Sequence, residues 1–328
     1  MSQRVNMQAV SSVPPAPIGL GSKVDLQGGV TPPRRRRRER RDLASSLFVV
    51  PYVLLLLAFG IGPTFYALYE SLVDERTEGG GLGLQNFGRL LDDFRFWPSV
   101  THVAIFMGIW LPVMVVGVVV LALLLHEKQS RFSGAMRLIF FLPAAVTGSA
   151  SVILWYFMLT PELSPFGPAL RSMGFETGSD VFVSGNLPWV FAVIAFTTGA
   201  GQWIIIMFGA LQNVPDDLME SARLDGCGPL RIALWIKLPL VRKYVWYMVI
   251  MSISVGLQIF VEPHLIYSVT NTAGSPWWSP NQLSYEYAFT DGDFGGAAAI
   301  SVLLLLVATL AAVALIVFTD FFESEAKA

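Results

Sequence analysis

The chain has 328 residues, of which 54% are hydrophobic and only 14% charged, and a mean hydropathy of +0.57. A soluble domain of this length carries roughly a quarter charged residues, so the composition argues against a water-exposed globular protein and for lipid as the main solvent. The net charge of −2 conceals an uneven distribution, because nine of the 22 Lys and Arg residues precede residue 42.

Residues 1–42 are rich in Pro, Gly, Ser and Arg, show no apolar period, and read as a disordered basic cytoplasmic tail. The five arginines at 34–38 either bind anionic headgroups or serve as a topology anchor. The apolar stretch that follows is too long for a signal peptide and ends in no small-residue cleavage site, so it is expected to stay. The body of the protein, 43–322, then contains six apolar segments, at about 43–72, 99–125, 138–159, 188–211, 244–269 and 296–318, before a short cytoplasmic tail at 323–328. Each can cross a hydrocarbon core of about 30 Å at 1.5 Å per residue. Backbone groups in lipid must bond internally, which makes these segments helices. Pro51, Pro63, Pro112, Pro143 and Pro263 predict kinks in or near them.

With the N-terminus inside, the inner connections hold eighteen Lys and Arg residues and the outer loops four, so the positive-inside rule puts both termini in the cytoplasm. Trp97, Trp189, Trp277, Trp278, Tyr285 and Tyr287 lie near segment ends in the outer loops and fit an interfacial aromatic belt. A single cysteine, Cys227, excludes an intramolecular disulfide framework and a Cys-based zinc site. His102, His126 and His264 show no metal-ligand spacing and read as helix-end or pore-lining groups. No GxxxxGK[ST] phosphate loop is present, and no paired Asp, HExxH or Ser–Lys arrangement marks an intramembrane enzyme.

The connection at 211–243, between the fourth and fifth segments, is the longest on the inner side. Pro215 followed by Asp216 and Asp217 starts a helix, with acidic groups at the positive end of its dipole. Residues 218–224 make about two turns, Asp225-Gly226 ends them, and a second helical stretch at 230–238 is expected to stop at Pro239. Such a helix–turn–helix either rests on headgroups as an amphipathic segment or, given Glu220, Arg223 and Asp225 in close succession, fits a polar groove on another protein.

Glu220-Ser-Ala-Arg-Leu-Asp225-Gly226 followed by Ile236-Lys-Leu238-Pro239 resembles the EAA loop of ABC importer permeases. Ser221, Cys227, Ala233 and Lys243 depart from the usual residues. The run from Asp293 to Ser301, Phe141-Leu-Pro143 with Trp155, and Pro63 are similar to permeases of the carbohydrate type, maltose- and glycerol-phosphate-like, from about residue 43 to the end. In style the chain looks like actinobacterial disaccharide permeases, the trehalose importer above all.

That resemblance implies an all-α integral membrane protein with the six-helix ABC type I importer permease fold and a cytoplasmic coupling helix, in the bacterial plasma (inner) membrane. It implies Glu220, Ser221, Ala222, Asp225 and Gly226 as the contact with an ATPase. It further implies a second homologous permease, two copies of a cytoplasmic ATPase, an extracytoplasmic sugar-binding protein and membrane lipid as partners, and no nucleic acid. No cofactor is expected on this chain, since ATP and Mg would sit on the ATPase. Ser254, Gln258 and Glu262 fall at i, i+4 and i+8 of the fifth segment, on one helix face. With Gln202, Trp203, Trp155 and Tyr156 they are the candidate substrate path, or else they form helix–helix hydrogen bonds. A different class, an ion-coupled secondary transporter or channel, would use Glu262 as its proton site.

Overall fold

The computed structural model describes residues 49–74, 81–127, 131–146, 148–270 and 274–319; both tails lie outside the described residues. The chain divides into two units, Met1–Ala58 and Phe59–Ala328, and the described part of the first, 49–58, is helical. Among the described residues five helical segments are long and apolar enough to cross a bilayer: Val49–Leu72, Phe96–Glu127, Leu187–Gln212, Pro229–Thr270 and Phe294–Phe318. Arg131–Ala145 and Ser149–Leu159 make a sixth as a bent pair. The described residues are therefore all-α apart from one small antiparallel pair.

In the larger unit the elements are α1 (Gly62–Leu72), α2 (Gln85–Asp92), α3 (Phe96–Glu127), α4 (Arg131–Ala145), α5 (Ser149–Leu159), α6 (Leu187–Gln212), α7 (Asp216–Leu224), α8 (Leu238–Leu257), α9 (Val261–Thr270), α10 (Pro280–Tyr285) and α11 (Phe294–Phe318). A π-turn at Leu57–Ile61 precedes α1 and absorbs Pro63 at its start. The antiparallel pair Val73–Asp74 and Gly81–Leu82 follows α1.

The core sits between α3 and α6. Val103, Phe106, Trp110, Met114, Val118 and Ala122 recur at three- and four-residue steps, so one stripe of α3 is buried along its length. Glycines set the spacing: a side chain at Gly117 would meet Phe196 Cε2 at 2.8 Å, and one at Gly199 would meet Met114 Cε at 3.1 Å. Gly201 does the same for α4, where a Cβ would collide with the Phe140 carbonyl oxygen and reach Phe141 Cα at 2.7 Å. In lipid no water drives helices together, and close backbone approach supplies the attraction instead.

Three expectations change. The third segment is not one rod: α4 and α5 are bent by 109°, next to Gly148 with φ +62°, a backbone that side chains resist. The fifth segment is interrupted at Gln258, so Ser254 and Glu262 are on different helices. Pro239 does not stop the stretch after Gly228. A π-helix at Ala233–Lys237 leads directly into α8, with Pro239 two residues past it. Widening the helix to a π-turn moves the preceding carbonyls off the proline ring.

Two of the belt aromatics are core residues. Trp278 is 1% exposed, stacks on His102 at 5.4 Å and meets Phe191 edge-on at 4.7 Å. Tyr287 is buried and donates its hydroxyl to Asp93 Oδ2 at 2.6 Å. The same carboxylate receives Arg95 Nη2 at 2.9 Å, and Arg95 also reaches Asp291 Oδ2 at 3.1 Å. Burial pushes the Asp93 carboxyl up, but the hydrogen bonds from Arg95 and Tyr287 outweigh it and hold its pKa below the usual range. Burial and the adjacent carboxylate raise the Tyr287 phenol to about 12. This network latches the start of α3 to the segment leading into α11.

Candidate functional site

The connection after α6 is a small folded unit. Pro215 caps α7 in an extended conformation, and Asp216 and Asp217 occupy its first turn. Met219 and Ala222 turn inward onto Ile232, with Cys227 and Ile236 packed against them. α7 ends in a Schellman motif: Cys227 N donates to Ala222 O at 2.9 Å, Gly226 N donates to Arg223 O at 3.0 Å, and Gly226 has φ +80°. The apolar contact between Cys227 and Ala222 completes the motif.

Of the residues that the resemblance marks for the ATPase, Glu220, Ser221, Asp225 and Gly226 are exposed. Ala222 is buried, so it supports the elbow from within and offers no contact surface. Around them lie large exposed apolar side chains, Leu224 at 89%, Leu230 at 72% and Trp235 at 78%. Arg223 does not cluster with Glu220 and Asp225; its Nη2 reaches Glu127 Oε1 at 3.9 Å.

Sequence reasoning missed what fastens this elbow. Lys237 is 2% exposed, and its Nζ donates to Glu127 Oε2 at 3.0 Å and lies 3.2 Å from His126 Nδ1. The ammonium thus ties the elbow to the last turn of α3. The signal was visible as a lysine within Ile-Lys-Leu-Pro, an apolar run where a charge needs a partner.

The second place is the interruption between α8 and α9. Gln258 caps α8, its Nε2 donating to the Ser254 carbonyl at 2.9 Å. The Ile259 carbonyl accepts from Ser279 Oγ at 2.8 Å, which satisfies backbone that the break would orphan. Gly256 lets α8 approach α3: a Cβ there would strike Met107 Sδ and come within 2.8 Å of Trp110 Cζ3. The break opens a cavity of about 320 Å³, lined by Gln258, Glu262, Thr198, Ser151, the parallel pair Phe106 and Trp110, and Phe260.

Of the seven path candidates, Gln258 and Glu262 line this cavity and the other five do not. Ser254 turns its hydroxyl back to Ile250 O at 3.2 Å. Gln202 is exposed, and Trp203 packs edge-on against Tyr247 at 5.7 Å. Trp155 packs against the core, and Tyr156 stacks on Phe182 at 5.1 Å. Thr198 and Ser151 were not anticipated; both are small polar residues in apolar helices, and only the bend at Gly148 brings Ser151 in.

The described residues thus combine apolar helices of membrane-spanning length with an exposed, fastened elbow and a cavity at a broken helix. No family model matches the chain. It is 28% identical over 270 residues to the probable ABC transporter permease protein YurN of Bacillus subtilis, covering 80% of this chain and 90% of that one. It is 28% identical to the sn-glycerol-3-phosphate transport system permease protein UgpA of Rhizobium meliloti (80% and 89% covered). It is 29% identical to the lactose transport system permease protein LacF of Rhizobium radiobacter (82% and 92%). Among solved structures, a chain of the bacterial alginate ABC transporter, crystallised with its alginate pentasaccharide-bound periplasmic protein, superposes with a TM-score of 0.72 at 17% identity, over 86% of this chain and 96% of that one. The chain has the ABC transporter permease fold.

Proposed function

We propose that this chain is one of two permease subunits of an ATP-driven carbohydrate importer, with both termini in the cytoplasm. The observation that carries the reading is the elbow at 211–243. It has its own buried core, shows Glu220 with Leu224, Leu230 and Trp235 on its surface, and is held by Lys237 to the end of α3. A rigid knob of this kind transmits force from a separate ATPase, and closure of two ATPases on two such knobs would switch the spans between inward- and outward-facing states. Relatives named for lactose, arabinooligosaccharide and glycerol-phosphate transport support the substrate class. The substrate we assign is a disaccharide of the trehalose kind, delivered by an extracytoplasmic binding protein.

The reading is tested by purifying the tagged chain in mild detergent. A second permease and an ATPase should co-purify, and with the binding protein added trehalose should stimulate ATP hydrolysis. Proton-coupled uptake by the chain alone in liposomes would overturn it.

A further inference from the structure

The cavity at the α8–α9 break holds a single ionisable side chain. Among its lining residues Glu262 is ionisable and no Lys, Arg or His is present. Glu262 is half-buried, in the first turn of α9, and no ion pair to it occurs among the described residues. The other polar groups there are neutral: Gln258, Thr198, Ser151 and the indole N–H of Trp110, which has no hydrogen-bond partner. Gln258 gives one amide hydrogen to the Ser254 carbonyl and keeps its oxygen as an acceptor, and Thr198 gives its hydroxyl proton to Ile194 O at 2.8 Å. Carboxylate, amide and hydroxyl oxygens receive hydrogen bonds from ligand hydroxyls, most strongly at the ionised group. Phe106, Trp110 and Phe260 supply flat apolar walls for the C–H faces of a ring. A phosphate or carboxylate would meet an unscreened like charge in a low-dielectric site, with no cation to receive it.

We infer that Glu262 is the specificity residue of this path: it favours neutral, hydroxyl-rich ligands and rejects anionic ones. The inference rests on the reading of the cavity as the substrate path. Both are tested on the purified importer complex, without its binding protein, by saturation-transfer NMR with trehalose and its 6-phosphate ester. The wild-type complex should bind the neutral sugar more tightly by about tenfold or more, and Glu262→Gln should erase about tenfold of that ratio. Equal affinities in the wild type, or an unchanged ratio in Glu262→Gln, overturns the specificity claim. The path itself is read separately, in a Cys227→Ala background, by labelling Ala195→Cys on the cavity wall with a thiol reagent after assembly. Loss of binding of the neutral sugar supports the path; undiminished binding removes the path and the specificity claim with it.

Discussion

Two glycines carry contrasting demands. Gly226 has φ +80° with open space around it, so Gly226→Ala meets only a backbone penalty of about 1 kcal/mol. Gly226→Pro cannot take that φ and also deletes the N–H bonded to Arg223 O, so it should break the elbow. Glu220 is exposed and packs against nothing, so Glu220→Ala should leave membrane insertion and assembly intact. It should cut sugar-stimulated ATP hydrolysis by about tenfold, the effect of losing one charge-assisted contact. Normal coupling in Glu220→Ala would remove that carboxylate from the transmission. Gly201 is limited by space instead, because the backbone of Phe140 and Phe141 stands where its Cβ would go. Gly201→Val should lower stability in detergent by roughly 2–4 kcal/mol, read as a fall in the thermal midpoint. The turn glycine was legible from Asp-Gly after a short helix; Gly201 was not, because a packing glycine has no local pattern and needs knowledge of which helix lies against it.

At the scale of elements, the order and number of apolar segments were readable because a bilayer fixes their length. Their faces were not. Lipid-facing and core-facing residues of α3 are both apolar, so the buried stripe from Val103 to Ala122 leaves no amphipathic signature. The break at Gln258 was hidden for a related reason: Ser254, Gln258 and Glu262 keep helical spacing, and Ser279, twenty residues from Ile259, is what satisfies the interrupted backbone. Charged contacts between distant segments were equally invisible, since Asp93 and Tyr287 are 194 residues apart. That latch has a definite pH window. Asp93 titrates lower in the folded protein than unfolded, so its contribution is present above about pH 4 and is lost as pH falls through its folded value. Tyr287, raised to about 12, contributes fully below about pH 10 and loses its share only as pH rises through that value. Tyr287→Phe should therefore lower stability by about 1 kcal/mol at pH 7, with the deficit shrinking as the pH falls below about 4, measured at pH 7 and pH 3 as thermal midpoints of paired variants. An equal deficit at both values would mean that the hydroxyl contributes nothing through Asp93.

At the scale of the larger unit, α3 joins the latch, the cavity and the elbow. Its 32 residues span about 48 Å at 1.5 Å per residue. The Asp93–Arg95 latch precedes its first residue, the cavity touches its middle at Phe106 and Trp110, and Lys237 grips its last turn. On the proposed function, force applied to the elbow would enter α3 through Lys237, and α3 passes the broken helix where the cavity lies. The elbow and α3 should move as one body through the ATP cycle. Spin labels at Ser221→Cys and Leu124→Cys, in a Cys227→Ala background, should give the same distance distribution with and without trapped nucleotide. Lys237→Met withdraws the buried ammonium from Glu127, a loss of about 1–3 kcal/mol because the remaining carboxylate is one-third exposed and can be hydrated. In that variant the distribution should broaden, and ATP hydrolysis should continue without sugar uptake. A shift of more than about 5 Å in the unmodified pair on nucleotide binding would be a one-turn ratchet of the elbow past α3, and the Lys237 clamp would then be a sliding contact instead of a fixed one.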